Sequence, residues 1–228
     1  MSALITHLKN KQLLWQASQN SQSNVSKLST GIASLDEALN GGFPDHGVVR
    51  INSVMSVGEL RLCMPVIQAR QADLRQLFFL SPPAEVNAEM LAEYDINLDS
   101  AFFIAPNETS DTLWACEQCL KSGVCHTAIL WCNTLSLSQA KRLQVAAEQS
   151  HSLLIVFQYT AQVQPLPISL SMRITRSQQL LHIDIDKQRG GWPVSGLQIA
   201  HTLNGIKQRY LHERTTGMNN VVHLHAQQ

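Results

Sequence analysis

The apolar run at residues 48–51 is followed by the spacing of a phosphate-binding loop that joins a strand to a helix. A working loop reads G-x-x-x-x-G-K-[ST]: its backbone N–H groups surround the phosphates, its lysine contacts the β- and γ-phosphates, and its hydroxyl binds Mg²⁺. Here Ser53 replaces the first glycine, Glu59 the lysine and Leu60 the hydroxyl residue, and Gly58 keeps the motif. A carboxylate repels a triphosphate and leucine cannot hold a metal. We therefore predict a degenerate loop that binds no cofactor.

Strand and helix patterns alternate along the rest of the chain. Short apolar runs predict strands at residues 48–51, 77–80, 101–104, 128–131, 153–157, 169–175 and 180–186. Apolar residues at helical spacing predict helices at residues 58–72, 85–94, 110–120 and 138–148. Pro65 is expected to kink the first of these helices. The predicted fold class is α/β, with a mostly parallel sheet that carries helices on both faces.

The predicted domain organisation has four segments. Residues 1–15 have apolar side chains at helical spacing and predict an amphipathic helix, and residues 16–28 predict a polar linker. Residues 29–200 form the core, and residues 201–228 form a tail that either binds a partner or is disordered. Two interpretations of the N-terminal helix have equal weight: it docks onto another chain or copy, or it packs onto its own core.

The overall charge gives no support for strong binding to DNA or to a membrane. Lys+Arg and Asp+Glu both number 17, so the formal net charge is +0. Contact with DNA is therefore expected to be weak or to occur through partners. The sequence shows no apolar run near the roughly 20 residues of a membrane helix and no signal-peptide pattern, so we expect a cytoplasmic protein.

One stretch of the chain is rich enough in sulfur and imidazole to suggest zinc. It contains Cys116, Cys119, Cys125, His126 and Cys132. Cys116 and Cys119 lie on one face of a predicted helix, and Cys132 ends a predicted buried strand. Free cysteine packs like a small apolar residue and is often buried. We therefore predict that these cysteines are core residues and that the chain has no metal site.

The residues before the loop carry a second motif. Residues 29–44 read STGIASLDEALNGGFP, which resembles the segment that precedes the phosphate loop in RecA-like ATPases. The resemblance implies a RecA-like core. It places the metal-binding aspartate at Cys132, and the catalytic glutamate after the strand at 77–80, where this chain continues with Ser81; Glu85 is nearby at the wrong offset. With the loop lysine and hydroxyl also replaced, four catalytic groups lack counterparts, and we expect a protein that is not an enzyme.

A basic segment late in the core also matches the RecA-like pattern K-x-K-x-x-x-P, whose lysines reach toward nucleotide across a subunit boundary. The matching residues are Lys187, Arg189, Gly190, Gly191, Trp192 and Pro193. If the strand continues, Lys187 and Arg189 share one face. They would then contact a protein carboxylate or a nucleic-acid phosphate. A solvated strand end with a Gly-Gly turn is the alternative of equal weight.

Several segments taken together resemble the ImuA family of SOS-induced, RecA-like accessory proteins. They are VGELRL, residues 113–123, residues 141–148 and KQRGGWP, within a match over residues 13–193. The resemblance implies a non-catalytic role in mutagenic translesion DNA synthesis and DNA repair. The implied partners are an ImuB-like Y-family protein, an error-prone polymerase subunit reached indirectly, and RecA. SulA, the SOS cell-division inhibitor that binds FtsZ, is a more distant resemblance.

The ImuA resemblance also implies that partner contacts lie mostly in the tail, at residues 205–228. The tail contains a mildly basic stretch with the tentative contact residues Lys207, Arg209, Tyr210 and Arg214. A frayed end without function is the alternative. Self-association through a RecA-type interface is a further expectation. Two other functions stay open at this point: a SulA-like inhibitor of FtsZ, and a divergent RecA-like ATPase.

Overall fold

A computed structural model of the protein describes residues 26–55, 57–106, 108–161, 164–177 and 180–200, and the backbone of 221–222. The predicted helix at 1–15, most of the linker and most of the tail lie outside these residues. The last two residues of the predicted linker form strand β1 (Lys27–Leu28), which pairs antiparallel with β2 (Phe43–Pro44).

A large mixed sheet forms the centre of the molecule. Within the described residues it has nine strands, in the order β10-β9-β8-β3-β7-β6-β4-β5-β11. The strands are β3 (Gly47–Ser53), β4 (Gln76–Leu80), β5 (Ala101–Ile104), β6 (Cys125–Trp131), β7 (Leu153–Gln158), β8 (Leu170–Ser177), β9 (Leu180–Gln188), β10 (Val194–Ala200) and β11 (Val221–Val222). From β8 to β11 all neighbours are parallel, whereas β9 is antiparallel to both β8 and β10. The mostly parallel sheet predicted from sequence is therefore confirmed.

Helices cover both faces of this sheet. They are α1 (Ala33–Ala38), α2 (Glu59–Arg70), α3 (Ala88–Glu93), α4 (Thr109–Lys121) and α5 (Leu137–Gln149), with a 3-10 turn at Leu98–Ser100. Pro65 lies inside α2, which continues through it. Among the described helices, none combines the length and hydropathy of a membrane span.

Two apolar cores form because successive side chains of each central strand point to opposite faces of the sheet. Val49 and Ile51 of β3 pack with α2 and α3, whereas Val48 packs with α4 and α5 on the other face. The arrangement follows from the direction of the crossovers. The connections through α2 and α3 move toward the β5 edge, those through α4 and α5 move back toward β3, and right-handed crossovers place these two sets on opposite faces.

Local signals explain where the helices begin. The side chain of Ser136 accepts a hydrogen bond from the Gln139 N–H, and Gln139 returns one to the Ser136 N–H, so a capping box starts α5. Asn87 accepts from the Met90 N–H and starts α3 three residues later than the sequence pattern predicts. The short helix α1 and strand β10 are elements that the sequence analysis did not single out.

The motif before the loop has a structural role. The Asp36 carboxylate accepts hydrogen bonds from the Ser29 hydroxyl (2.5 Å), the Thr30 N–H (2.8 Å) and the Thr30 hydroxyl (2.7 Å). Burial acts to raise the pKa of Asp36, but these three hydrogen bonds outweigh it and lower the pKa below the usual value. An ionised Asp36 thus fixes the turn that leads into α1.

Candidate functional site

The degenerate loop lies at the carboxyl end of β3, where ligands bind in many open α/β sheets. Ser53 ends the strand, and its hydroxyl oxygen is buried without a hydrogen-bond partner among the described residues. Gly58 takes a left-handed conformation (φ 96°) as the residue that caps α2. That left-handed conformation suits glycine, because it has no β-carbon.

Glu59, at the position of the motif lysine, points back into the loop. Its side chain is buried, with a relative exposure of 6%. One carboxylate oxygen (Oε2) accepts a hydrogen bond from the Val57 N–H at 3.0 Å. The start of a helix attracts an anion because unpaired N–H groups and the helix dipole meet there. In this protein a carboxylate of the chain itself occupies that end of α2.

The other oxygen of Glu59 is held from the far side of the site. The Tyr159 hydroxyl donates to Glu59 Oε1 at 2.8 Å, and the Trp131 indole N–H donates to the Tyr159 oxygen at 3.1 Å. Burial raises the pKa of Tyr159 well above its usual value, and the hydrogen bond to Glu59 raises it further. These bonds connect the start of α2 to the ends of β6 and β7.

The remaining catalytic positions also carry structural contacts. At the aspartate position, the buried Cys132 thiol donates to the Thr134 carbonyl at 2.7 Å, and burial raises its pKa. At the glutamate position, the Ser81 hydroxyl lies 2.8 Å from the Thr112 hydroxyl of α4. Glu85 is exposed. None of these described side chains presents a carboxylate beside the loop for metal binding or water activation.

An open cleft of about 660 Å³ lies beside the loop, at the carboxyl ends of β3, β7 and β8. Asn52 forms one wall and donates to the Thr160 carbonyl at 2.9 Å. Arg173 brings a cation to the wall, but it pairs with Asp186 at 2.9 Å. The positive charge of this wall is therefore already balanced by a neighbouring carboxylate.

The cysteines pack into the protein. Cys63, Cys116, Cys125 and Cys132 are buried and Cys119 is partly buried. Burial raises the pKa of Cys119 to about 11, and raises those of Cys116 and Cys125 further. Over the part of the chain that the structure describes, no group of three His, Cys, Asp or Glu residues is placed to hold a metal ion.

The basic segment is a turn that is tied to the core. Strand β9 ends at Gln188, so Arg189 begins the turn and does not share a strand face with Lys187. The Lys187 ammonium donates to the Leu166 carbonyl at 2.8 Å. Burial and the nearby Arg50 and Arg189 lower the pKa of Lys187. Arg189 forms an ion pair with Glu148 of α5.

The rest of the turn is fixed at its base and open at its tip. The Gln188 side-chain amide donates to the carbonyls of Ala38 (3.0 Å) and Trp192 (2.7 Å). A β-carbon on Gly191 would lie 2.5 Å from the Gln188 side chain and 2.8 Å from the Asn40 amide nitrogen, so the backbone approaches closely there. Gly190 has φ 74°. Trp192 is nevertheless 85% exposed.

The comparisons with known proteins assign no family to this chain. No family model matches the chain, and no curated protein does. Among solved structures, SulA from Pseudomonas aeruginosa is similar, with 21% sequence identity and a TM-score of 0.42. The match covers 50% of this chain and 98% of SulA. We draw no functional argument from a similarity at this level.

The sequence analysis grouped Ser53, Gly58 and Glu59 in one loop but did not identify the groups that hold the Glu59 carboxylate. Tyr159 follows the predicted strand at 153–157 by two residues, and Trp131 ends the strand at 128–131. The carboxyl ends of parallel strands lie at one end of the sheet. The positions of Tyr159 and Trp131 at the ends of predicted strands could therefore have indicated that both lie near the loop. The tail residues Lys207, Arg209, Tyr210 and Arg214 lie outside the described residues.

Proposed function

We propose that the protein is a non-catalytic accessory protein that works through contacts with other proteins. The observation that carries this proposal is the position of Glu59, whose carboxylate takes the Val57 N–H and the Tyr159 hydroxyl. A triphosphate at this loop would meet a carboxylate where the motif has a lysine. The Val57 N–H and the Tyr159 hydroxyl could not bind it, because they already donate to Glu59. Both effects oppose nucleotide binding.

Within that class, the sequence resemblance favours an ImuA-like role in SOS-induced mutagenic translesion synthesis. The protein would bind an ImuB-like Y-family protein in the cytoplasm, and through it an error-prone polymerase subunit, with RecA as a further partner. The exposed Trp192, on a turn held by Gln188, is the described feature that best suits a partner contact. Exposed tryptophans on rigid supports are frequent anchors of protein interfaces.

Affinity capture tests this proposal. The tagged full-length protein is expressed in its own source cells, with and without DNA damage, and bound proteins are identified by mass spectrometry. We expect an ImuB-like protein together with a polymerase subunit or RecA after damage. Recovery of FtsZ in their place would contradict the ImuA-like role and favour a SulA-like inhibitor of division.

A second experiment separates the adaptor from a divergent ATPase. Phosphate release by the purified protein is measured with and without single-stranded DNA, alongside the variant Glu59→Lys. We expect background rates for both, because the metal-binding and water-activating groups are also replaced. Phosphate release above background by either protein would contradict the non-catalytic proposal.

A further inference from the structure

A buried cation lies in the middle of the central strand β3, at Arg50, which is 2% exposed. The guanidinium atoms Nε and Nη2 donate to the Ser171 hydroxyl at 3.1 and 2.8 Å, and Nη1 donates to the Gln164 carbonyl at 2.7 Å. Both of these acceptors are neutral. A guanidinium has five N–H donors, so one N–H on each terminal nitrogen has no partner among the described residues.

Arg50 also lacks a counter-charge. No carboxylate of the described residues lies within ion-pair distance of it, because Asp186, which attracts it from farther away, accepts from Arg173 at 2.9 Å. Burial lowers the pKa of Arg50, but an arginine stays charged at neutral pH. A buried charge without a counter-charge is costly. Its presence here therefore points to an anion that is not part of the described chain.

Arg50 forms part of the wall of an open cavity of about 460 Å³, the Arg50 cavity. Apart from Leu135, its other lining residues have neutral hydrogen-bonding side chains, among them Asn133, Thr134 and Gln158. None of the described lining residues has a carboxylate. The volume lies within the range of roughly 300–1,000 Å³ that is usual for small-molecule sites.

Two further features of the Arg50 cavity favour an anion. Ser136, which caps α5, is one of the lining residues. The start of a helix has N–H groups without partners in the helix, and the helix dipole adds partial positive charge. Lys187 is close enough to Arg50 that the two positive charges repel, which helps to lower the pKa of Lys187.

The Arg50 cavity and the degenerate loop differ in their own negative charge. In the loop, the Glu59 carboxylate is part of the chain and takes the available donors. In the cavity, no described lining residue supplies such a group, and the Thr134 hydroxyl has no hydrogen-bond partner among the described residues. The site that sequence spacing indicates is therefore closed to anions, whereas its neighbour is open to them.

We propose that the Arg50 cavity binds a phosphate group, either free or as the monoester of a small molecule. Arginine binds phosphate oxygens through two N–H donors at once, and Arg50 has one such donor left on each terminal nitrogen. A further phosphate oxygen would accept from the Thr134 hydroxyl. This inference does not depend on the proposed function, since neither Glu59 nor Trp192 takes part.

Calorimetric titration of the full-length protein at about 0.15 M ionic strength tests the proposal. The probes are inorganic phosphate and glycerol 3-phosphate. Thr134→Glu places a carboxylate at an exposed position of the cavity, and Gln118→Glu makes the same charge change at an exposed position of α4 outside it. We expect the wild type to bind, Thr134→Glu to bind about tenfold more weakly or less, and Gln118→Glu to stay within about twofold of the wild type.

Removal of the cation itself gives a second readout. We expect phosphate to raise the Tm of the wild type and of Gln118→Glu more than that of Arg50→Met, because only a folded protein with an intact site gains from binding. Phosphate also stabilises folded proteins as a salt, but that effect is shared by all variants. If Arg50→Met does not fold, the comparison of Thr134→Glu with Gln118→Glu still decides the proposal.

The two probes also distinguish the sources of the phosphate group. Tighter binding of glycerol 3-phosphate than of inorganic phosphate would support a small-molecule monoester, and equal binding would support free phosphate. A wild type that binds neither probe would overturn the proposal, as would binding that Thr134→Glu leaves unchanged. Binding of a thymidine oligonucleotide that Thr134→Glu weakens, without binding of either small probe, would overturn it in favour of a nucleic-acid site.

Discussion

The degenerate loop and the basic turn both keep the residue spacing of RecA-like motifs with changed residues, but they differ in how far their side chains are exposed to solvent. In the loop, Glu59 is buried and both carboxylate oxygens are used inside the molecule. In the turn, Gln188 fixes the backbone while Trp192 stays 85% exposed. The loop has the features of a structural element, whereas the turn has those of a supported contact surface. Substitutions in the loop should therefore change stability, and those in the turn should change binding.

The largest effect is expected for Glu59→Ala. Removing the carboxylate leaves the buried Val57 N–H and the partly buried Tyr159 hydroxyl without this acceptor. We expect the free energy of unfolding to fall by about 2–4 kcal/mol, as measured by urea denaturation. The exposed Glu85→Ala is the control, with a change within about 0.5 kcal/mol. Equal effects of the two variants would remove the distinction between the loop and an ordinary surface.

A smaller decrease in the free energy of unfolding is expected for Tyr159→Phe. This variant removes one donor to Glu59 and the acceptor of the Trp131 N–H. The expected cost is about 1–3 kcal/mol at pH 8.

The same variant should also alter the dependence of stability on alkaline pH. Because the pKa of Tyr159 is raised in the folded protein, the unfolded chain loses this proton first as the pH rises above about 10. Stabilisation by the protonated tyrosine is complete below that pH and declines above it. The difference in the free energy of unfolding between wild type and Tyr159→Phe should therefore be constant below about pH 10 and narrow as the pH rises above it. A constant difference would show that Tyr159 ionisation is not coupled to folding.

Most of the strands and helices could be predicted because hydrophobic periodicity and the residues that end an element are local features of the sequence. The runs at 77–80 and 101–104 and the helix at 138–148 correspond to β4, β5 and α5 within a few residues. The placement of Glu59 at the phosphate loop followed from motif spacing alone. The bonds from Tyr159 and Trp131 were not predicted, because they join residues that are 100 and 28 positions apart in the chain. Such contacts depend on strand order, which periodicity does not determine.

The basic turn also shows what periodicity leaves undetermined, in this case where a strand ends. The sequence placed Lys187 and Arg189 on one strand face only if the strand continued, with a strand end and a Gly-Gly turn as the alternative. The strand ends between them at Gln188. Two-residue alternation applies only while a strand continues. A turn with Gly190 at φ 74° follows at once, and contacts from Gln188 to the Ala38 carbonyl and from Arg189 to Glu148 hold it against the core.

An intermediate effect on stability is expected for Gly191→Ala. The added β-carbon would lie 2.5 Å from the Gln188 side chain, which must move and give up its bonds to the Ala38 and Trp192 carbonyls. We expect a loss of about 1–2 kcal/mol in urea denaturation and weaker partner capture. Gln188→Ala is the comparison variant, because it removes the same two side-chain hydrogen bonds without adding an atom at position 191. A loss for Gly191→Ala with none for Gln188→Ala would show that these hydrogen bonds do not account for the effect.

The smallest effect on stability, and the sharpest on binding, is expected for Trp192→Ala. Its side chain is 85% exposed, so its removal should change the free energy of unfolding by less than about 0.5 kcal/mol. If the turn is a partner contact, the affinity for the captured partner should fall about thirtyfold or more, because an aromatic anchor contributes about 2 kcal/mol or more to an interface. Trp114→Ala is the control, since Trp114 is also exposed, at 59%, but lies on α4. Equal capture by wild type and both variants would remove the turn from the interface while leaving the structural role of Glu59 intact, because the two regions make separate predictions.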